Sequence, residues 1–540
     1  MIRIAMVGGG PKCLFALLEL NDVLSDNEGQ TVQVDVYDPY PPGAGRVWNT
    51  TQPKELRLNV NSRIIDASSS LCEKTFDQYG QPHASDKIQD DFAPRAEVGA
   101  YLSEQFELLT KHGELSVSHR PLVVQRVQRQ GEQWAVSTTS SAELYDEVVL
   151  ATGHGLAGYK NEEQPVSTIP AAALSVEQAP EAIAQVPAGS MVKIRGAALT
   201  AYDVVMVLTE GRGGRWEPVA DDAGGALRYL PSGNEPALIT MVSRKGIAMT
   251  PKPRDIGEDL HSVLSIYQTQ LRAWAGSSTP NTRKMWSILL DCAKHIADFS
   301  GVPATKESLW DTVCTGRSAQ FSEHERPFEQ LRYSLEANRG LVCGTHEWVW
   351  AVTWSKLYSE LVRALSRYNW SHTERGEFNL AASNLERMAF GPPEPTAQKL
   401  LALHDAGIVR HQQSVASTAS TDQGEDQRTD TVEIDSVTAA AGVLTAAAPH
   451  GKPANSLIDR LLAAGEIMIR SGERGLLTDT DGTCIDSQGQ RNESLSALGR
   501  PTEDPTLGHD TLNRTLHTEY REWVKRIATQ VTVQSQKVAY

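Results

Sequence analysis

Ile2-Arg3-Ile4-Ala5-Met6-Val7-Gly8-Gly9-Gly10-Pro11-Lys12-Cys13 is the stretch whose reading decides the fold. An apolar, strand-like run enters three glycines and a proline, and a helical pattern continues over 11–24. A second apolar run follows over 32–37, so a parallel β-α-β unit is expected. Gly8-x-Gly10-x-x-Cys13 keeps the first two positions of a dinucleotide fingerprint and loses the third. Gly8, Gly9 and Gly10 let the backbone turn tightly and approach a pyrophosphate, whose charge then rests on the helix N-terminus beside Pro11 and Lys12. Cys13 stands where a glycine would allow the closest helix–strand packing, so a looser contact is expected. Asp38, at the end of the second strand, can accept hydrogen bonds from ribose hydroxyls and disfavours a 2'-phosphate, which suits FAD or NAD rather than NADP. The alternative is a glycine-rich turn without a ligand.

Working outward, 540 residues suggest two or three domains at roughly 150 residues each. Hydrophobic residues make up 40 % of the chain, as in a globular protein. A net charge of -16 argues against nucleic acid or an anionic membrane as partner. The six cysteines, Cys13, Cys72, Cys292, Cys314, Cys343 and Cys484, form no Cys-x-x-Cys pair. That fits a reducing, cytoplasmic setting, and neither an adjacent redox dithiol nor a metal site is expected. No signal-peptide h-region and no run of about 18 apolar residues is present, so no membrane span is expected. Hydrolase and kinase patterns of the G-x-S-x-G, H-E-x-x-H and P-loop kinds are missing too.

Farther along, 147–151 reads as a buried strand stopping at Thr152-Gly153, and a Pro- and Ala-rich connection over 165–187 leads to a second β-α unit. Its strand covers 191–195, its turn lies at Gly196, its helix covers about 200–210 and a further strand covers 238–243. Long helical periods follow at 259–275, 281–299 and 348–368, and Trp348, Trp350 and Trp354 read as core or interface residues. Residues 414–431 read as a polar surface loop. Strand-like segments return at 431–437, 467–470, 476–478 and 484–486, and a last helix is expected over 510–526. The fold class expected is α/β, with two Rossmann-like dinucleotide-binding domains and a mainly helical insertion. The expected division is 1–165, first part of an FAD-binding domain; 166–255, an NADPH-binding domain; 256–385, the helical insertion; and 386–540, completing the first domain.

Several further motifs carry a resemblance. Gly8 through Leu17, Tyr37-Asp38-Pro39, Gly43-Ala44-Gly45 and Leu56-Arg57-Leu58-Asn59-Val60 resemble the FAD-NAD(P)-binding family of flavoproteins. Leu150-Ala151-Thr152-Gly153-His154-Gly155 is similar to the segment ending a strand against the flavin in two-dinucleotide monooxygenases and reductases. Gly196 to Gly214, Phe390-Gly391-Pro392-Pro393 and Leu498-Gly499-Arg500-Pro501-Thr502-Glu503 extend the likeness. It implies FAD in the first unit, with Asn59, Thr152, Gly153 and His154 near it. The Gly499 turn would reach the pyrimidine side of the ring, where Arg500 adds a cation.

The second unit is the natural place for a nicotinamide cofactor, held by Gly196, Ala198 and Thr200. Ala198 replaces a fingerprint glycine, and its methyl is expected to push the pyrophosphate away. Ser243-Arg244-Lys245 offers a hydroxyl and two cations to a 2'-phosphate, which favours NADPH; the alternative is a solvated loop. With two dinucleotide units and no dithiol, O2 is the simplest electron acceptor. NADPH would then reduce FAD, reduced flavin would react with O2 to give a C4a-hydroperoxide in a dry pocket, and a neutral nucleophile would attack its electrophilic terminal oxygen. The resembled family, similar to class B flavin-dependent N-monooxygenases, includes aspartate N-oxygenases, so oxygenation of an amino-acid or amine substrate is expected, with L-aspartate the sharpest candidate. Lys252, Arg254, Arg317 and His450 are the candidate substrate-carboxylate contacts and catalytic positions. A flavin reductase or oxidase without oxygen insertion, and a non-catalytic flavoprotein sensor, stay open as alternatives, as does a homo-oligomeric state.

Overall fold

A computed structural model describes residues 2–25, 32–80, 91–153, 168–220, 225–254, 257–277, 280–318, 327–414, 431–438, 442–443, 456–471, 473–502, 511–516 and 519–538. Contacts divide the chain into two units, one of residues 1–54, 61–163 and 439–540, the other of residues 55–60 and 164–438.

In the first unit a six-stranded sheet runs in the order Thr483–Ile485, Arg491–Ala497, Glu147–Leu150, Ile2–Val7, Val32–Tyr37, Ser116–Arg120. Neighbours are parallel except the first pair. Ile2–Val7 is one of the two central strands of this order and is almost wholly buried, which explains its apolar run without alternation. Helix Pro11–Leu24 buries residues around most of its circumference, because helices Arg95–His112 and Glu519–Val538 also pack against it. Phe15 meets Tyr520 edge to face at 6.2 Å between centroids. Arg491–Ala497 (Arg-Asn-Glu-Ser-Leu-Ser-Ala) escapes sequence reading because only Leu495 and Ala497 are buried apolar residues in it. The expected strands at 467–470 and 476–478 are present only as isolated bridges, Ile469 to Leu476 and Thr478 to Cys484. The C-terminal helix covers Glu519–Val538 instead of 510–526.

Glu147 locks that helix to the sheet. Its buried carboxylate accepts from Arg526 at 2.7 and 3.1 Å, from Ser496 Oγ at 2.7 Å and from Trp523 Nε1 at 3.2 Å.

The second unit contains an all-parallel sheet in the order Val409–Gln413, Leu238–Ser243, Met191–Arg195, Thr431–Asp435, Thr168–Pro170. Residues 386–438, expected with the C-terminal part, fall in this unit because two of its strands come from there. Helix Leu199–Leu208 follows the Gly196 turn. The expected long helices are Glu258–Ala275, Thr282–Phe299 and His346–Leu365, joined by Lys306–Thr315, Pro327–Asn338, His372–Ala389 and Glu394–Asp405. Trp350 and Trp354 are fully buried among them.

Removing one partner of a buried, hydrogen-bonded ion pair strands the other. Glu147→Ala is expected to lower unfolding free energy by about 3 kcal/mol, measured by urea denaturation, and to expose the last helix to limited proteolysis.

Candidate functional site

Gly8, Thr152-Gly153 and Gly499 lie just past the carboxyl ends of three adjacent parallel strands, where open α/β sheets take their ligands. Gly8 has φ +106°, and a Cβ there would stand 2.3 Å from Ala151 O, so the turn itself demands glycine. Gly9 donates its N–H to Asp38 Oδ2 at 2.7 Å and accepts from Gly43 N–H at 2.7 Å. Gly10 differs from both. It has φ -75° and caps helix Pro11–Leu24, and a Cβ on it would meet nothing within 4 Å.

No protein contact therefore requires glycine at position 10. The bare Cα leaves the backbone open to a group approaching from outside, and the helix start offers it unsatisfied N–H groups: no side chain caps it and no acidic residue occupies its first turn. These features fit the pyrophosphate of a dinucleotide. Gly45 packs closely behind, since a Cβ on it would stand 2.9 Å from Gly10 Cα. Lys12 Nζ donates to Thr511 O at 2.8 Å, and a Cβ on Gly499, at φ +75°, would strike the Lys12 stem at 2.8 Å. Thr502 N–H and Oγ1 both donate to Gly499 O, while Arg500 O accepts from Gly442 N–H. Gly153 has φ +58°.

Asp38 does more than the sequence suggests. Its oxygens accept from Gly9 N–H and, at 2.9 Å, from Tyr40 N–H, and the residue is 8 % exposed. Burial raises its pKa, opposed by those two bonds and by His119. Its carboxylate thus holds the glycine turn in shape, leaving only its outer lone pairs for a ribose. Cys13 is fully buried, and burial together with Asp38 pushes its thiol well up, so it is a packing residue and no reactive thiolate. Asn59 lies half-buried in the 55–60 segment, which clusters with the second unit. His154 and His450 lie outside the described residues.

In the second unit the turn repeats with a change. Gly196 has φ +110°, and its Cβ would stand 2.5 Å from Ser436 Oγ. Ala198 takes the capping place that Gly10 takes in the first unit, with its exposed methyl at the start of helix Leu199–Leu208. Thr200 is half-buried in that helix's first turn. This N-terminus also has no side-chain cap and no acidic first turn. Ser243 Oγ lies 2.8 Å from His411 Nε2 and accepts from Gly246 N–H at 3.2 Å. Arg244 is exposed, and its guanidinium has no recorded partner among the described residues. Lys245 instead turns to Asn384 Oδ1 at 3.0 Å, its pKa lowered by burial and by Arg387 and Arg244.

The candidate substrate cations differ in availability. Arg254 forms a bidentate pair with Glu394, both bonds at 2.7 Å, and Glu394 also takes Arg339, so substrate binding there would compete with a built ion pair. Lys252 Nζ lies 5.1 Å from the Phe390 ring centroid. Its N–H donates to Pro392 O, and beside it Gly391 passes so close to Thr250 O that a Cβ would stand 1.9 Å away. Arg317 reaches Lys245 O at 3.5 Å.

Sequence reading missed Arg387. This residue is half-buried in the helical region with its pKa lowered by desolvation and bonds Ala248 O and Gly316 O. Nearby Glu347 has its pKa raised by burial and accepts from Ser318 N–H at 2.6 Å. His411 was missed as well, although the short apolar lead of its strand after a helix marks a β-α-β return. No group of three or more His, Cys, Asp or Glu that could hold a metal ion occurs among the described residues, and no described helix is long and apolar enough to cross a membrane.

A family model described as FAD-NAD(P)-binding matches residues 5–155. Those residues, which contain the Gly8–Gly10 turn, Asp38 and Thr152-Gly153, are an FAD-NAD(P)-binding domain. Nitrosuccinic acid synthase npaA of Aspergillus oryzae is 30 % identical over 271 residues, 45 % of this chain and 40 % of that protein. An L-aspartate N-monooxygenase (nitrosuccinate-forming) of Streptomyces cremeus is 30 % identical over 292 residues, 46 % of this chain and 42 % of that one. The alignments thus span about two fifths of the length of these curated relatives. The open crystal structure of cyclohexanone monooxygenase aligns over 99 % of this chain and 88 % of that one, at 12 % identity and a TM-score of 0.43.

Because position 10 faces open space, Gly10→Ala is expected to change apoprotein stability by no more than about 1 kcal/mol. It should weaken FAD binding at least about tenfold, read by flavin fluorescence titration beside a urea melt. Burial pushes His411 down to about 4 from 6.5. The unfolded chain takes up this proton first on acidification, so the stability at stake is complete above about pH 6.5 and is lost as pH falls towards about 4. Between about pH 6.5 and 5, the wild type should lose roughly 1.5 kcal/mol more than His411→Gln, measured by urea unfolding at both values.

Proposed function

We propose that the chain is an FAD- and NADPH-dependent monooxygenase that oxygenates the amine of a small amino-acid substrate, with L-aspartate the first candidate. The observation carrying this reading is the 30 % identity to two nitrosuccinate-forming proteins, in a chain whose two largest sheets each present a glycine turn and an uncapped helix N-terminus.

FAD, when bound, supplies electron storage and the activation of O2. Gly8, Gly9 and Gly10 with the start of helix Pro11–Leu24 hold its pyrophosphate, and Thr152-Gly153 and Gly499-Arg500 approach it from the neighbouring strand ends. Gly196, Thr200, Ser243 and Arg244 hold NADPH, with Ala198 keeping the backbone farther from the phosphates than Gly10 does. Lys252, Arg317 and His450 are the cations proposed for the substrate's carboxylates, and Arg254 serves chiefly the ion pair with Glu394. The amine has to be unprotonated to react, which a desolvating pocket favours. The buried, protonated Cys13 speaks against the sensor alternative.

The test is NADPH oxidation by the FAD-loaded protein across a panel of acidic and basic amino acids, with hydrogen peroxide and N-oxygenated product both quantified. L-aspartate is expected to accelerate oxidation at least severalfold, with most electrons recovered in product. Stoichiometric peroxide with every amino acid would make the protein an oxidase, and flavin that NADPH leaves oxidised under anaerobic conditions would remove the enzyme reading altogether.

A further inference from the structure

We propose that His411 is a positioning residue for the dinucleotide site of the second unit: through its Nε2–H it orients the Ser243 hydroxyl to donate to a phosphate monoester on the ribose of a pyridine nucleotide. The proposal rests on the NADPH reading above and names a residue that decides its selectivity.

The argument is an inventory of one hydroxyl. Ser243 Oγ has two lone pairs and one proton. Gly246 N–H fills one lone pair, at 3.2 Å, and His411 Nε2 stands 2.8 Å away. Two arrangements satisfy that second contact. If Ser243 donates to an unprotonated Nε2, its proton is committed and it cannot serve a phosphate, which only accepts. If Nε2 carries the proton, both lone pairs are filled from the protein and the hydroxyl proton is left for an outside acceptor, while Arg244, the next residue, is exposed with no recorded side-chain partner among the described residues.

A bound phosphate selects the second arrangement, because only there is the hydroxyl proton free to meet it. His411 is 9 % exposed, and its Nδ1 has no recorded hydrogen bond among the described residues. A proton on Nε2 meets Ser243 Oγ and leaves Nδ1 an acceptor only. The neutral ring preferred by burial can supply that single donor. Strand Val409–Gln413 pairs in register with Leu238–Ser243, setting His411 opposite Met241, so the sheet itself fixes the ring relative to the serine.

Calorimetric titration of the FAD-loaded protein with adenosine 2',5'-bisphosphate and with adenosine 5'-monophosphate tests this. Wild type is expected to prefer the bisphosphate at least tenfold. Ser243→Ala and His411→Met should each reduce that preference by about tenfold or slightly less, the worth of one charge-assisted hydrogen bond. His411→Gln keeps an N–H donor and should restore most of it. The double variant should lose no more than either single one. An unchanged or increased preference in His411→Met, or an unchanged one in Ser243→Ala, overturns the role of His411 while leaving the NADPH reading standing. A wild type that does not distinguish the two nucleotides overturns the NADPH reading and the proposal with it. Should His411→Met not fold, Ser243→Ala and His411→Gln decide by the same criteria.

Discussion

The 2.7 Å hydrogen bond from Gly9 N–H to the buried carboxylate of Asp38 is the contact on which the first unit's site depends. It ties the turn after the first strand to the end of the second, and Tyr40 N–H and Gly43 N–H extend the same tie. With the turn held there, the start of helix Pro11–Leu24 faces outward with its N–H groups uncapped. A carboxylate so desolvated has its pKa raised, and it keeps its place because two backbone donors meet it.

The two dinucleotide units solve the same geometric problem with different residues. Both first glycines, Gly8 and Gly196, are forced by positive φ and by atoms that a Cβ would strike. They would be needed with or without a ligand. Position 10 and its counterpart 198 are the informative ones, because the protein's own packing leaves them unconstrained. Glycine at the first leaves the helix start bare, and alanine at the second places a methyl over it. An anion can therefore approach the backbone more closely at the first helix start than at the second.

Charge placement separates cations engaged in building the fold from cations left lightly engaged. Lys245, Arg254 and Arg387 look alike in sequence to Arg244 and Arg317, yet the first three are held by Asn384, Glu394 and backbone carbonyls. Arg244 and Arg317 keep guanidinium groups only lightly engaged among the described residues. An exposed ion pair contributes little to stability, but a bidentate one such as Arg254–Glu394 keeps a cation from another task.

The sequence by itself determined the β-α-β start, the second such unit, the long helices and the glycines that must turn, because each depends on local periodicity or on one backbone conformation. It could not show that residues 386–438 supply two strands to the second sheet, that polar Arg491–Ala497 runs inside the first, or that Asp38 bonds the glycine turn before any ribose. Nor could it pair Ser243 with His411, 168 positions away. Those facts arise from parallel strand pairing and burial between segments far apart in the chain, and only the tertiary structure decides which neighbours a strand or a carboxylate acquires.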